Sequence, residues 1–210
     1  MTEITIEKYA GKMNRAGYDA FLQSMRFARG EGNRHVELVH WLFHALSNQK
    51  CDLSTTLNEL KIDRGAVLKA LDKSMGTLAK NVTENPQISQ PLADALNSAW
   101  VYATLFFGEA QIRTGHVLVA ILNDPALRRE LLSSASMLSE LSVDHISKET
   151  RSLWGQSEEE EMRPMDGSGL ASGGTGEASA TGGAATALGR YSQDMTAEAA
   201  EGGMDPIVGR

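Results

Sequence analysis

Over the first 154 positions the apolar residues recur at helical spacing, and no stretch keeps the alternate spacing of a strand. Ile6, Tyr9, Ala10 and Met13 stand at i, i+3, i+4 and i+7, one helical face. Asn14 predicts the N-cap of a second helix running to about Arg29, with Phe21, Leu22, Met25 and Ala28 inward. Leu38, Trp41, Leu42, Ala45 and Leu46 make a third face, and Leu53, Leu57 and Leu60 a short fourth. Asp63 caps a fifth, with Val67, Leu68, Leu71 and Met75 facing in. Leu92, Ala95, Leu96, Ala99, Ala103 and Phe106 give the clearest stripe, and Val117, Leu118, Ile121 and Leu122 follow. Asp124 before Pro125 is a start signal, since proline suits the first helical position. Asp144 is the expected cap of a last helix ending near Trp154. The fold class is therefore all-α, with no sheet in the core.

The pattern repeats. "GNRHVELVHWLFHAL" (32–46) aligns with "GEAQIRTGHVLVAIL" (108–122), pairing Gly32 with Gly108, His40 with His116, Leu42 with Leu118 and Leu46 with Leu122. The preceding helices match as well, Met25 against Val101. Each half reads as about four helices, and neither is large enough for a good core alone. Two such units packed with pseudo-twofold symmetry make one domain. The first helix stands outside the repeat, because the second unit has no clear copy of it.

Past Trp154 the pattern fades. Residues 156–187 are rich in Gly, Ala, Ser and Thr around the acidic run Glu158–Glu161, too poor in large apolar side chains to offset the entropy of ordering. They read as a flexible linker with a solvated acidic segment; 188–210 then regain some helical character. The net charge of −7 argues against a nucleic-acid partner, since nothing here neutralises a run of phosphates. The longest apolar run, "AWVYATLFF" (99–107), is far shorter than the ~20 residues that span a bilayer. With one cysteine, Cys51, and no signal-peptide pattern, the expectation is a soluble, cytoplasmic protein.

Little of the chain carries chemistry. His40 and His44 share a helical face near His35, but there is no HExxH, no cysteine pair and no convergent carboxylate set, so neither a metal nor another cofactor is expected. The repeat favours a structural task for His40 and His116, each bonding a backbone group of the loop before its helix. Cys51 has no recognisable base beside it and reads as inert. The extra first helix is more informative. It either leaves a groove that suits a partner's amphipathic helix, lined by Ile4, Ile6, Tyr9 and Met13, or simply completes the core.

The double repeat resembles the N-terminal domain of the Clp/Hsp100 AAA+ unfoldases. Its His-containing motif appears as Val39–Leu46 and again as Gly115–Leu122, although Val39 and Gly115 stand where glutamate is usual. "HWL" (40–42), "AWVYATLFFGEAQIRTGHVLVAIL" (99–122) and the first helix ending in Met13–Asn14 are similar to the type VI secretion branch, ClpV or TssH. "LGRYSQDMT" (188–196) and "MDPIVGR" (204–210) resemble the junction opening the first ATPase module of these machines. The resemblance implies a non-catalytic substrate-recognition domain of a hexameric ATPase that recycles contracted sheaths. It would bind an amphipathic helix of the sheath subunit TssC (VipB); the alternative is an adaptor or unfolded-protein docking domain of a general Clp chaperone. Carried onto this chain, the groove comprises Ile4, Ile6, Tyr9, Ala10 and Met13, with Phe21 and Met25 as further lining unless they face the core. ATP and Mg would serve the parent protein; Walker A, Walker B and arginine-finger motifs are not found in these 210 residues.

Overall fold

The computed structural model describes residues 6–168. Ile4, the linker positions after 168 and the junction at 188–210 lie outside the described residues. Two helical units follow a short first helix, α1 (Ile6–Lys12). The first unit is α2 (Arg15–Gly30), α3 (Leu38–Ser47), α4 (Asp52–Glu59) and α5 (Arg64–Gly76). The second is α6 (Gln90–Val101), α7 (Thr114–Asn123), α8 (Pro125–Ser134) and α9 (Val143–Lys148), followed by α10 (Thr150–Trp154). Within the first unit α3 packs on α2 and α5; within the second α7 packs on α6, α8 and α9. The apolar residues of α3 and α7 are buried almost all round, so these two equivalent helices form the centres of their units.

Local side-chain chemistry fixes the helix starts. Asn14 Oδ1 accepts from Gly17 N, Asp63 from Gly65 N and Ala66 N, Ser89 from Leu92 N, and Asp124 from Ala126 N and Leu127 N. Each satisfies backbone donors that a helix leaves without partners. The last segment differs from expectation. Ser142 occupies the cap position, Asp144 lies in the first turn of α9, and the segment breaks into two short helices.

The units are joined by exchange of short extended segments. β1 (His35–Val36), just before α3, pairs in parallel with β2 (Gln87–Ile88), just before α6. The equivalent residue of the second unit, Ile112, pairs in parallel with Met13, just before α2. Each unit thus holds the entry of the other. The expectation of no strand is corrected to these two-residue pairings, too short for a period of two to register.

Two further corrections concern α6 and the linker. α6 continues into a π-helical turn, Tyr102–Phe106, whose wider pitch shifts the face by about one residue. Phe106, expected inside, is 61% exposed. Phe107 turns inward in its place and stacks on His116 at 4.7 Å between centroids, with Trp154 at 5.4 Å. The linker, expected from 156, does not begin there: residues 157–168 return as a strap across the domain. Glu159 of the acidic run is fully buried. Glu158 N donates to Lys50 O at 2.9 Å, Met165 N to Met13 O at 2.9 Å and Asp166 N to Gly11 O at 2.9 Å. Pro164 pairs with Asn14 in an antiparallel bridge.

Candidate functional site

α1 lies on α6 and α2. Its seven residues are too few to hold helical form alone, so its neighbours must supply the stability. Tyr9 Oη donates to Asn97 Oδ1 of α6 at 2.8 Å. Lys12 Nζ sits 5.6 Å from the centre of the Trp100 ring and 2.9 Å from Asp166. Ile112 N donates to Lys12 O at 2.7 Å and Asn14 N to Ile112 O at 3.0 Å, tying the end of α1 to the second unit.

The expected groove residues divide. Ile6 and Tyr9 are half-buried against the core and present their remaining surface to solvent. Ala10, Met13 and Phe21 are buried, Met13 completely, so they belong to the core under α1 and not to an open lining. Met25 is partly exposed, but it lines a separate cavity on α2 with Leu22, Arg26, Arg29, Asn85 and Pro86. Two apolar residues outside the expected set are more exposed. Val101 and Leu105 follow Asn97 along the solvent side of α6 and its π turn, 45% and 84% exposed. They add exposed apolar surface to α6, the helix that Tyr9 meets at Asn97. The signal was present in "AWVYATLFF": a helix that buries one face cannot hide an apolar run that goes all the way round.

His40 and His116 close the first turns of α3 and α7. The Nδ1 of His40 accepts from Glu37 N at 2.9 Å, and that of His116 from Arg113 N at 3.2 Å. Burial, aided by His44, holds His40 down to about 4; burial, aided by Arg113, holds His116 down to about 3. Both imidazoles are therefore neutral at pH 7 and act as acceptors, as the residue at this helix position does in a capping box. Leu42 and Leu118, two residues further on, fill equivalent core positions. Gly115, where glutamate is usual, lies against Trp154: a Cβ there would fall 2.3 Å from the indole. Trp154 Nε1 donates to Thr56 Oγ1 at 2.9 Å.

A buried charged network lies beneath the strap. Arg113 grips Asp52 with two bonds of 2.7 and 2.8 Å, and its third nitrogen reaches Glu160 at 2.8 Å and Glu109 at 3.3 Å. Glu159 accepts from Asn14 Nδ2 at 2.6 Å, Asp52 N at 2.8 Å, Thr114 N at 2.8 Å and the Thr114 hydroxyl. Burial and then the Asp52 charge push the Glu159 carboxyl up to about 7, against the donors that favour its ionised form. Sequence reasoning missed this network, because acids in a Gly/Ser-rich stretch carry no mark of burial. Cys51, the α4 N-cap, is buried, and burial pushes its thiol up to about 11, so it is no nucleophile. Among the described residues no cluster of His, Cys, Asp or Glu fits a metal, and no helix is long and apolar enough to cross a membrane.

These features define an all-helical double-repeat domain whose distinguishing surface is an added helix. The chain belongs to the Clp family: the Clp repeat (R) N-terminal domain matches residues 12–135. It is 33% identical, over its whole length, to the AAA+ ATPase ClpV1 of Pseudomonas aeruginosa, of which it spans 24%. A solved structure from a description of the coevolution of the ATPase ClpV, the TssB–TssC sheath and the accessory HsiE protein superposes with a TM-score of 0.73. It is 31% identical and covers 76% of this chain and 98% of its own. A complex of a ClpV N-domain with a VipB peptide shares the fold at a TM-score of 0.66 and 20% identity, covering 76% of this chain and 97% of its own.

Proposed function

We propose that this chain is the substrate-recognition domain of a hexameric AAA+ unfoldase of the ClpV kind, and that it binds an amphipathic helix of a type VI sheath subunit, TssC/VipB-like, on the surface formed by α1 and α6. The observation that carries the reading is the apolar surface left open on two packed helices, Ile6 and Tyr9 half-buried on α1 and Val101 and Leu105 exposed on α6 and its π turn. The ClpV similarity supports the choice of partner. An incoming helix would lay its apolar face along this surface and leave its polar face in water. Affinity would come from a few central apolar contacts, and the polar rim would set direction.

The domain then captures and delivers, while ATP and Mg serve ATPase modules of a longer cytoplasmic protein. Six copies tethered to one ring would raise the effective concentration of recognition surfaces around a contracted sheath. A titration of the 210-residue chain with a fluorescent VipB peptide, run beside a permanently unfolded protein, tests the reading. Saturable binding of the peptide alone is expected. Binding of the unfolded protein alone would assign the adaptor or unfolded-chain reading instead.

A further inference from the structure

We propose that the strap 157–168 is a clasp that positions α1, and that Glu159 and Met165 thereby set how tightly the α1–α6 surface holds its partner helix. The proposal deepens the sheath-helix reading and rests on it for the identity of the partner. It starts from the fact that the end of α1 has two neighbours. On one side Ile112 holds it from the second unit. On the other side the strap runs antiparallel to it, with Met165 N bonded to Met13 O, Asp166 N to Gly11 O, and Asp166 in an ion pair with Lys12.

Glu159 seats this clasp. One carboxylate oxygen binds the Asn14 side chain at 2.6 Å and Thr114 N at 2.8 Å; the other binds Asp52 N at 2.8 Å and the Thr114 hydroxyl. Asn14 is the hinge between α1 and α2, and its Oδ1 is already committed to capping α2 through Gly17 N at 3.0 Å. Asp52 and Thr114 begin α4 and α7, one helix from each unit. A single side chain from the strap therefore joins the hinge of α1 to the first turn of one helix in each unit. Helix N-termini favour a carboxylate there, so the seat is specific for an acid.

The outer part of the clasp is weaker. Met165 is 43% exposed, Asp166 and Lys12 are partly solvated, and beyond the buried Pro164 every described residue of the strap is exposed. Backbone bonds exposed to water open at low free-energy cost. Displacing the strap would free the Met13 carbonyl and the Asn14 amide together and loosen α1 on α6. A partner that needs α1 in place must then tighten the strap by the same factor, because coupling between two binding events is reciprocal.

The test uses the 210-residue chain and the Met165→Pro variant, which removes the donor to Met13 O without entering the core; Pro164 already holds the extended form that a following proline requires. Glu159→Gln is the second variant, since an amide offers one acceptor oxygen to four donors. Three readouts are taken: amide exchange along 6–14, amide exchange in α3 and α7, and VipB-peptide affinity. The expected result for Met165→Pro is at least tenfold faster exchange in 6–14, unchanged protection of α3 and α7, and at least fivefold weaker binding. Adding the peptide to the wild-type chain should slow exchange of 157–168. Unchanged α1 exchange in Met165→Pro, or a strap indifferent to bound peptide, would overturn the clasp. If the wild-type chain binds no peptide, the sheath reading fails, and the exchange of 6–14 still decides whether the strap positions α1.

Discussion

Gly115 and Trp154 meet so closely that the smallest added side chain collides with the indole. Gly115→Ala is expected to destabilise the domain by about 1–3 kcal/mol through overpacking, read as a lower denaturant midpoint at unchanged slope. A neutral result would mean that α10 docks more loosely than described. His40 and His116 give a pH signature at the same scale. Both are held below their unfolded value of 6.5, so the stability they contribute is present above 6.5 and is lost as the pH falls towards 4. His40→Gln keeps an acceptor at this helix position but removes the titration. It should flatten the fall in urea midpoint between pH 6.5 and 4; an equal fall in both proteins would contradict the assignment. Glu159 has the opposite sign. Its raised carboxyl favours the fold below about 4.5 and costs stability as the pH rises through 7. The equivalence of the two histidines was legible, because the repeat placed them at matching positions. The reason for Gly115 was not, because its neighbour lies 39 positions away in sequence.

At the scale of elements, the caps at Asn14, Asp63 and Asp124 were legible because a cap is a bond between near neighbours in sequence. The π turn after α6 was not: a shift of about one residue leaves no mark in composition, and "FF" offers either phenylalanine to the core. The shift is testable. Phe107→Ala should cost about 2–4 kcal/mol by opening a cavity beside His116 and Trp154, whereas Phe106→Ala should stay within about 0.5 kcal/mol. Thermal melts that ranked the two substitutions the other way would restore an unbroken α-helix. α1 was legible as an amphipathic helix, but its pattern could not say which apolar residues face water. The structure separates them: Ala10 and Met13 lie underneath, while Ile6 and Tyr9 lie at the rim. Rim residues can be changed without unfolding the domain, so Tyr9→Asp is expected to reduce VipB-peptide affinity at least tenfold while the far-ultraviolet circular dichroism persists.

At the scale of the molecule, the two repeat units are bound by exchange. Val36 pairs with Ile88 and Ile112 with Met13, each strand residue lying in the other unit's entry. Asp52 of the first unit and Arg113 of the second form a buried pair across the seam. Asp52→Ala would remove both bonds of the paired nitrogens and leave the buried Arg113 only Glu160 and Glu109 on its third, so it should cost about 3 kcal/mol. The wild-type domain should unfold in one transition by both circular dichroism and tryptophan fluorescence, since neither unit keeps its entry segment alone. Two resolved transitions would contradict the exchange. The repeat itself was visible in the sequence. The seam was not, because its participants are scattered single residues, and Glu159 among them looked like part of a solvated run.

The central claim is that recognition occurs on the surface made by α1 and α6. Titrating the isotope-labelled 210-residue chain with unlabelled VipB peptide and following backbone amide shifts tests it most directly. The account predicts that the largest changes fall on residues 6–12 and 97–105, with smaller ones along the strap at 157–168. Changes confined to the far side, on α5 or α8, with α1 unmoved, would contradict it.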